Sequence, residues 1–559
     1  MRHTLTNLGL LLVALSGCSL EDFDQDGVPR LEDCNDTDPS QGRPLPLHVD
    51  GDRDGFGGPD IEVGCPGNAW LVSDASDCND ANAGVRPFAQ EIACDGRDND
   101  CDPTTVDGPA VTGGVTYASV QQAIDAAALN DVVEICASLV DGPLVVRKPT
   151  VLRGAGRNRT VIDAKRGGSA LTLESTAELR DLTLTGGLGG RGGGLHVLEG
   201  VGGTIRLDEV TIRGNAADDG GGIWASGTAM ELTNVEVSAN VATNQGGGIA
   251  VQTPPDRPLL LVDTQVFRNR ALLGGGLWVL GRAQAERTAV YDNSADQGGG
   301  IWFDGILESG KATFYVDDNE ARTGGGIWGA GQLVGVALHE NEGEQGGGLF
   351  NAAELVVRNS SLAQNTSTGD GGGVLAAGPL TLISTTASGN VASGDGGGIA
   401  ASGDLVLQHS FVERNRASRG GGLAIRGAAE LEGVAVSENV ALSAGGGLHT
   451  SCHQGGVRMT SGTLRENQAP SGGALWIEGA EVSLIGLQVD RNSSGIQGAV
   501  AVMPSSCGHD SVLDARDDVS WRDNVRFDLW AAGTGLTAPN GVFRCVVGGD
   551  GTIACPAPP

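Results

Sequence analysis

Apolar and polar residues alternate along most of this chain. Runs such as AMELTNVEVS (229–238), GDLVLQHSFV (403–412) and AEVSLIGLQV (480–489) put apolar side chains on one face of an extended backbone and polar ones on the other. After each run come a polar turn and a glycine cluster followed by one apolar residue. Aligned on that residue, thirteen copies lie 22 to 28 residues apart, at Leu195, Ile223, Ile249, Leu277, Ile301, Ile327, Leu349, Val374, Ile399, Leu423, Leu448, Leu475 and Val500. In all but the first copy, an asparagine stands eight or nine residues earlier, from Asn215 to Asn492, with an apolar residue three places before it, as in Val237, Val266 and Val412. The pattern predicts about three short strands per copy and no room for a helix.

A repeat this short cannot bury its own apolar face, so the copies must stack. Three strands per turn without a helix predict an all-β fold, a right-handed parallel β-helix whose coils rise about 4.8 Å each, roughly 60 Å for the thirteen copies. Asparagine fits an inner corner where its amide meets its counterparts above and below; the glycines fit a corner that excludes a Cβ or needs positive φ. The pairing of an apolar-x-x-Asn unit with Gly-Gly-Gly/Ala-apolar resembles the repeats of chlamydial-type polymorphic outer-membrane proteins and, at the level of fold, pectin-lyase-like β-helices. Ahead of the repeats, YASVQQAIDAA (117–127) places Val120, Ile124 and Ala127 on one helical face, similar to the capping helix of that superfamily.

Composition adds a second region. The chain holds 92 glycines, too many for ordinary globular usage, and its net charge of −33 repels nucleic acid and favours cations. Residues 19–108 carry 22 acidic and 5 basic side chains, a net of −17, with little apolar material. Such a stretch is disordered or is ordered by disulfides and cations. DFDQDG (Asp22, Asp24, Asp26, Gly27) and DGDRDG (Asp50, Asp52, Asp54, Gly55) set alternate carboxylates before a turn-permitting glycine, the arrangement that wraps one hard cation. Asp33 stands at the twelfth position of the first loop, whereas the second has Ile61 there, so neither is an EF-hand. Two DCND motifs (Asp33 to Asp36, and Asp77, Asn79, Asp80) and CDGRDNDCD (Asp95, Asp98, Asp100) supply further oxygens. Absent His-x-His and Cys-x-x-Cys spacings argue against zinc. From His48 to Gly108 the chain resembles metal-binding Asp- and Cys-rich modules of secreted bacterial proteins and, more loosely, thrombospondin type 3 repeats, with Glu21 to Pro39 similar to a truncated copy. The expected ion is calcium.

Arg2, the apolar stretch Leu8 to Leu15 and LSGC ending at Cys18 resemble the signal and lipobox of a bacterial lipoprotein. That resemblance implies lipid on Cys18, a membrane-anchored envelope protein and, from Ser19, the outer membrane. Export places the other ten cysteines where disulfides persist; Cys94 with Cys101 and Cys545 with Cys555 are the preferred local pairs. The expected organisation is a signal peptide (1–18), a calcium-binding module (19–108), the β-helix (109–505) and a cysteine-containing cap (506–559).

Two functional readings follow. In the first, the β-helix is a rod for adhesion or for recognition of a glycan or surface protein. Trp278, Trp302, Trp328 and Phe350 follow the aligned apolar residue in successive copies, where alternation turns them outward into an aromatic stripe, with Trp224 and Trp476 at the same position elsewhere. In the second, the chain is a calcium-dependent polysaccharide lyase, for which Asp370, Asp395 and Arg419 stack at one corner; the same three form a simple charge ladder if they do no chemistry. The histidines, including His196, His449 and His453, show no ligand spacing and are expected at the surface.

Overall fold

The computed structural model describes residues 21–559 apart from 91, 93, 104–107, 311–312, 453–454, 517–518, 525–528, 532–533, 537–542, 549–551 and 556–559. Cys18 and His453 therefore lie outside the described residues. The chain divides into two compact units, residues 1–116 and 117–559.

The first unit has little to bury. Its sheet is a small antiparallel one, with Leu45–Val49 between Ile61–Gly64 and Leu71–Val72, and Leu47, Leu71 and Val85 are among its few buried apolar side chains. Disulfides Cys34–Cys65 and Cys78–Cys101 close loops of 31 and 23 residues around it. The expected Cys94–Cys101 pair is corrected: the turn between them folds on itself through Asn99, which accepts from Ile92 N and donates to Asp95, and Cys101 is turned toward Cys78.

The second unit is a parallel β-solenoid of about fifteen turns of about 25 residues, with almost no helix. Its helix, Val120–Ala126, starts at Ser119, whose hydroxyl accepts from Gln122 N, and buries Val120, Ala123 and Ile124. One coil reads Ile223–Ser226, Ala229–Thr233, Glu236–Ser238, Val241–Gln245. The last of these strands is one more than the alternation predicted. The residues between the asparagine and the glycines also pair in parallel, in sheets of their own, because once the corners are fixed this short stretch has only its neighbours' backbone to bond to.

Register is set from inside. The aligned apolar residues pair coil to coil, Ile223 with Ile249, Ile249 with Leu277, Leu277 with Ile301, and all are 0% exposed. Each such side chain contributes roughly 1.5–3 kcal/mol of burial, and a slip of one residue would turn a whole coil's apolar set outward. The asparagines form an unbroken ladder. Asn240 donates from its backbone N–H and from Nδ2 to Asn269 Oδ1 (3.0 and 3.1 Å) and from Nδ2 to Ile212 O (2.9 Å), and Asn269 repeats this on Asn293. A further rung, Asn524, receives Asn492, 32 residues away; with no glycine cluster after it, the repeat pattern does not reveal it.

Each glycine of a cluster has its own reason. Gly246 takes φ 58°. A Cβ on Gly247 would lie 2.4 Å from Gly275 O, and one on Gly248 would lie 2.7 Å from Gly276 O. The corner is thus a stack of bare backbones. Parallel pairing runs past residue 505, through Ser511–Arg516, Ser520–Arg522 and Leu529–Ala531. Antiparallel strands follow, Phe543–Val547 and Ile553–Ala554, the region held by the expected Cys545–Cys555 disulfide.

Candidate metal centre

The two acidic loops are copies of one another at the level of hydrogen bonds. Asp22 Oδ1 accepts from Gln25 N (2.7 Å) and its Oδ2 from Gly27 N (3.0 Å); Asp50 does the same with Arg53 N (2.6 Å) and Gly55 N (3.0 Å). Asp26 accepts from Val28 N and Asp54 from Phe56 N. The fourth and sixth positions have positive φ in both loops, 65° and 91° at Gln25 and Gly27, 68° and 98° at Arg53 and Gly55. The backbone therefore curls around a point toward which alternate carboxylates turn. Ligand oxygens of Asp22, Asp24 and Asp26 lie within 4.8 Å of one another, as do those of Asp50, Asp52 and Asp54.

A fourth carboxylate, the closing aspartate, flanks each loop and comes from a DCND motif: Asp33 is close enough to act on Asp24, and Asp77 on Asp52. Asp33 and Asp77 each accept from the N–H two residues on, Asn35 and Asn79. The last aspartate of each motif clamps the loop's second residue: Asp36 accepts from Phe23 N (3.0 Å) and Asp80 from Gly51 N (2.8 Å). Beside the second loop, whose twelfth position holds Ile61, Asp77 supplies that flanking carboxylate from 27 residues beyond Asp50. The sequence held this signal in the recurrence of DCND after each loop, but the unequal spacing hid the equivalence.

Several of these oxygens are buried with no partner: Asp24 Oδ2 and Asp33 Oδ2 in the first site, and Asp52 Oδ1 and Oδ2, Asp54 Oδ2 and Asp77 Oδ2 in the second. Asp77 is only 5% exposed. Converging carboxylates that lack donors are costly unless a cation neutralises them. Burial raises the pKa of Asp24, Asp52 and Asp77, and neighbouring carboxylates add to it: Asp26 and Asp33 on Asp24, Asp54 and Asp77 on Asp52, and Asp54 and Asp80 on Asp77. The donors are all oxygen, and Cys78 and Cys101 beside Asp77 are tied in a disulfide. The residues fit a metal ion of hard character.

The remaining candidates divide. Asn79 is exposed, so its carboxamide is not among the buried donors. In the third acidic stretch Asp95 accepts from Arg97 N and Asn99 Nδ2, and Asp100 accepts from Asp102 N. Asp98 keeps Oδ1 buried without a partner, its pKa raised by burial and by Asp100.

Comparison with known proteins bears on this unit alone. A family model named for copper-binding MopE and described as "Putative metal-binding motif" matches residues 33–41 and 77–107. Both stretches begin at a closing aspartate. The D-x-D-x-D-G loops fall outside the match. No curated protein and no solved structure matches the chain.

On the solenoid, the aromatic stripe forms as a stack. Trp278, Trp302, Trp328 and Phe350 pair in register, with ring centroids 5.5, 4.9 and 6.4 Å apart and interplanar angles of 11°, 6° and 29°. All four are half-buried. The stripe expected from the alternation is thus a stack in which the rings cover one another's faces. In the same column Trp224 is buried under Arg191, whose guanidinium carbon is 4.4 Å from the ring centre, and Trp476 stacks on His449.

Asp370, Asp395 and Arg419 do meet at one corner. Arg419 binds Asp395 through two 2.8 Å hydrogen bonds, Arg426 reaches Asp395 at 2.5 Å and Asp370 at 3.4 Å, and Asp395 N donates to Asp370 Oδ1. A cation or a substrate proton would have to displace these guanidinium groups. Arg426 joins them from the bend just past the strand Leu423–Ile425, two residues beyond the stripe position. His449 departs from the expectation of surface histidines, whereas His409 and His509 are exposed. His449 is 4% exposed, and burial with Arg419 pushes its pKa down to about 4. His196 is half-buried, its pKa lowered by burial and Arg191. His339 Nδ1 lies 3.1 Å from Asp317 and near Glu340. Spacing along the sequence cannot find such neighbours, which are one coil apart.

Proposed function

We propose that this chain is a lipid-anchored protein of the bacterial cell envelope, an outer-membrane lipoprotein carried on Cys18, in which calcium orders the acidic module and the solenoid serves adhesion or recognition. The observation that carries the reading is the second loop, where ligand oxygens of Asp50, Asp52 and Asp54 lie within 4.8 Å of one another and Asp52, Asp54 and the neighbouring Asp77 keep buried oxygens without a partner. A metal-binding motif and a β-solenoid fit a surface or recognition role. Calcium is favoured over copper or zinc because these donors are carboxylates, with no imidazole or thiolate among them. Extracellular calcium modules bind at about 0.1–1 mM, so calorimetric titration of the full chain with calcium, copper and zinc chlorides is expected to give heat with calcium in that range. Binding of copper or zinc with calcium silent would overturn the assignment.

The recognition surface of this proposal is the stacked column from Trp278 to Phe350. Trp302→Ala is expected to weaken binding on a glycan or surface-protein array at least tenfold while the circular dichroism spectrum stays β-rich. Retained binding would move the surface elsewhere. The anchor is tested by labelling cells with radioactive palmitate: label is expected on the native chain and absent from Cys18→Ala.

A further inference from the structure

Each closing aspartate is followed directly by a half-cystine. Asp33 precedes Cys34, bonded to Cys65, and Asp77 precedes Cys78, bonded to Cys101. Cys65 comes directly after the strand Ile61–Gly64, which pairs with Leu45–Val49, the strand that delivers Asp50 to its loop. Cys78 N–H donates to Cys101 Sγ (3.1 Å) and so fixes the peptide bond that joins it to Asp77. Each closing carboxylate is thus held from one side by its turn and from the other by a disulfide.

We propose that the first unit holds two hard divalent cations in separate, equivalent sites, and that each ion and the disulfide beside its closing aspartate stabilise one another. This rests on the metal-centre reading above and adds its stoichiometry and its redox linkage. With the disulfide intact, Asp33 Oδ2 and Asp77 Oδ2 are already placed, buried and without a donor, so the ion meets a preformed site. Reduction frees the backbone of the aspartate, and the carboxylate must then be ordered at the moment of binding. Linkage makes the effect reciprocal: whatever factor the disulfide adds to ion affinity, the ion adds to the disulfide's resistance to reduction. The reaction is thiol–disulfide exchange with a dithiol reductant. A thiolate attacks one sulfur of the pair, a mixed disulfide forms, the reductant's second thiol closes its own ring, and two protein thiols are left.

The test uses the oxidised full chain. Native mass spectrometry with calcium is expected to show two bound ions, and one ion in each of Asp33→Asn and Asp77→Asn. In parallel, dithiothreitol is added with calcium or with a chelator, free thiols are alkylated over time, and each cysteine is followed by peptide mapping. Calcium is expected to slow reduction at least tenfold at Cys34–Cys65 and Cys78–Cys101. The solenoid's Cys452–Cys507, beside no carboxylate triad among the described residues, serves as the internal reference and should not change. Asp77→Asn should lose protection at Cys78–Cys101 alone, and Asp33→Asn at Cys34–Cys65 alone. Two bound ions with unchanged reduction rates would overturn the linkage and leave the metal reading standing; a single ion, or loss of both ions in either variant, would overturn the two separate sites. Absence of any bound ion would remove the metal reading itself. The comparison on the native chain decides the linkage whether or not either variant folds.

Discussion

At the scale of single residues, most of the weight falls on a few buried polar groups that are satisfied only by stacking. Asn341 accepts two hydrogen bonds from Asn319 and donates to Val316 O and Asn365 Oδ1. Asn341→Ala takes the acceptor from Asn319's buried backbone N–H, while Asn319 Nδ2 keeps Val290 O and Asp317 O, and at about 1–3 kcal/mol per orphaned group the variant should lose roughly 1–3 kcal/mol in urea unfolding. A loss below about 0.5 kcal/mol would mean that the ladder is decoration. His449 makes a pH-dependent contribution. It faces Arg419, Asp395, Glu478 and Arg426 and stays neutral down to about pH 4. Because its folded pKa lies below the unfolded value, the unfolded chain takes up the proton first. Stability is complete above about pH 6.5 and falls as the pH drops from there toward 4, by up to about 3 kcal/mol. His449→Gln should flatten that part of a stability–pH curve, and an unchanged curve would place the acid sensitivity in other groups.

At the scale of an element, the coil is a compromise between corners that must be thin and strands that must be apolar inside. The glycine corner makes this measurable. Gly247→Ala drives a Cβ to 2.4 Å from the next coil's carbonyl, whereas a Cβ on Gly202 meets nothing within 4 Å. We expect Gly247→Ala to aggregate or to unfold at markedly lower urea concentration, and Gly202→Ala to stay within about 0.5 kcal/mol of the native chain. Equal tolerance would show that the corners can spread. The aromatic stack obeys the same geometry. Residues at one position of successive coils sit one strand spacing apart, close to the thickness of a ring pair, so identical side chains there must lie face against face.

At the scale of the molecule, two units are stabilised by different physics. The solenoid has a continuous apolar interior, whereas the first unit has a small three-stranded antiparallel sheet, disulfides and clustered carboxylates. Chelation should therefore lower the first unit's unfolding temperature while leaving the β signal of the solenoid unchanged, as read by calorimetry and far-ultraviolet circular dichroism on one sample; a shift of both transitions would contradict this separation. The sequence by itself determined the repeat, its inner row, its asparagine and glycine corners and the acidic loops, because each depends on local spacing that recurs or on residues adjacent in the chain. Only the tertiary structure decided that Asp77 stands beside the second loop, that Cys101 bonds to Cys78, and that His449 is buried among the groups of Asp395 and Arg419. Those are contacts between residues 23 to 54 positions apart. Stacking and disulfides bring them together, and no periodicity encodes which atoms then meet.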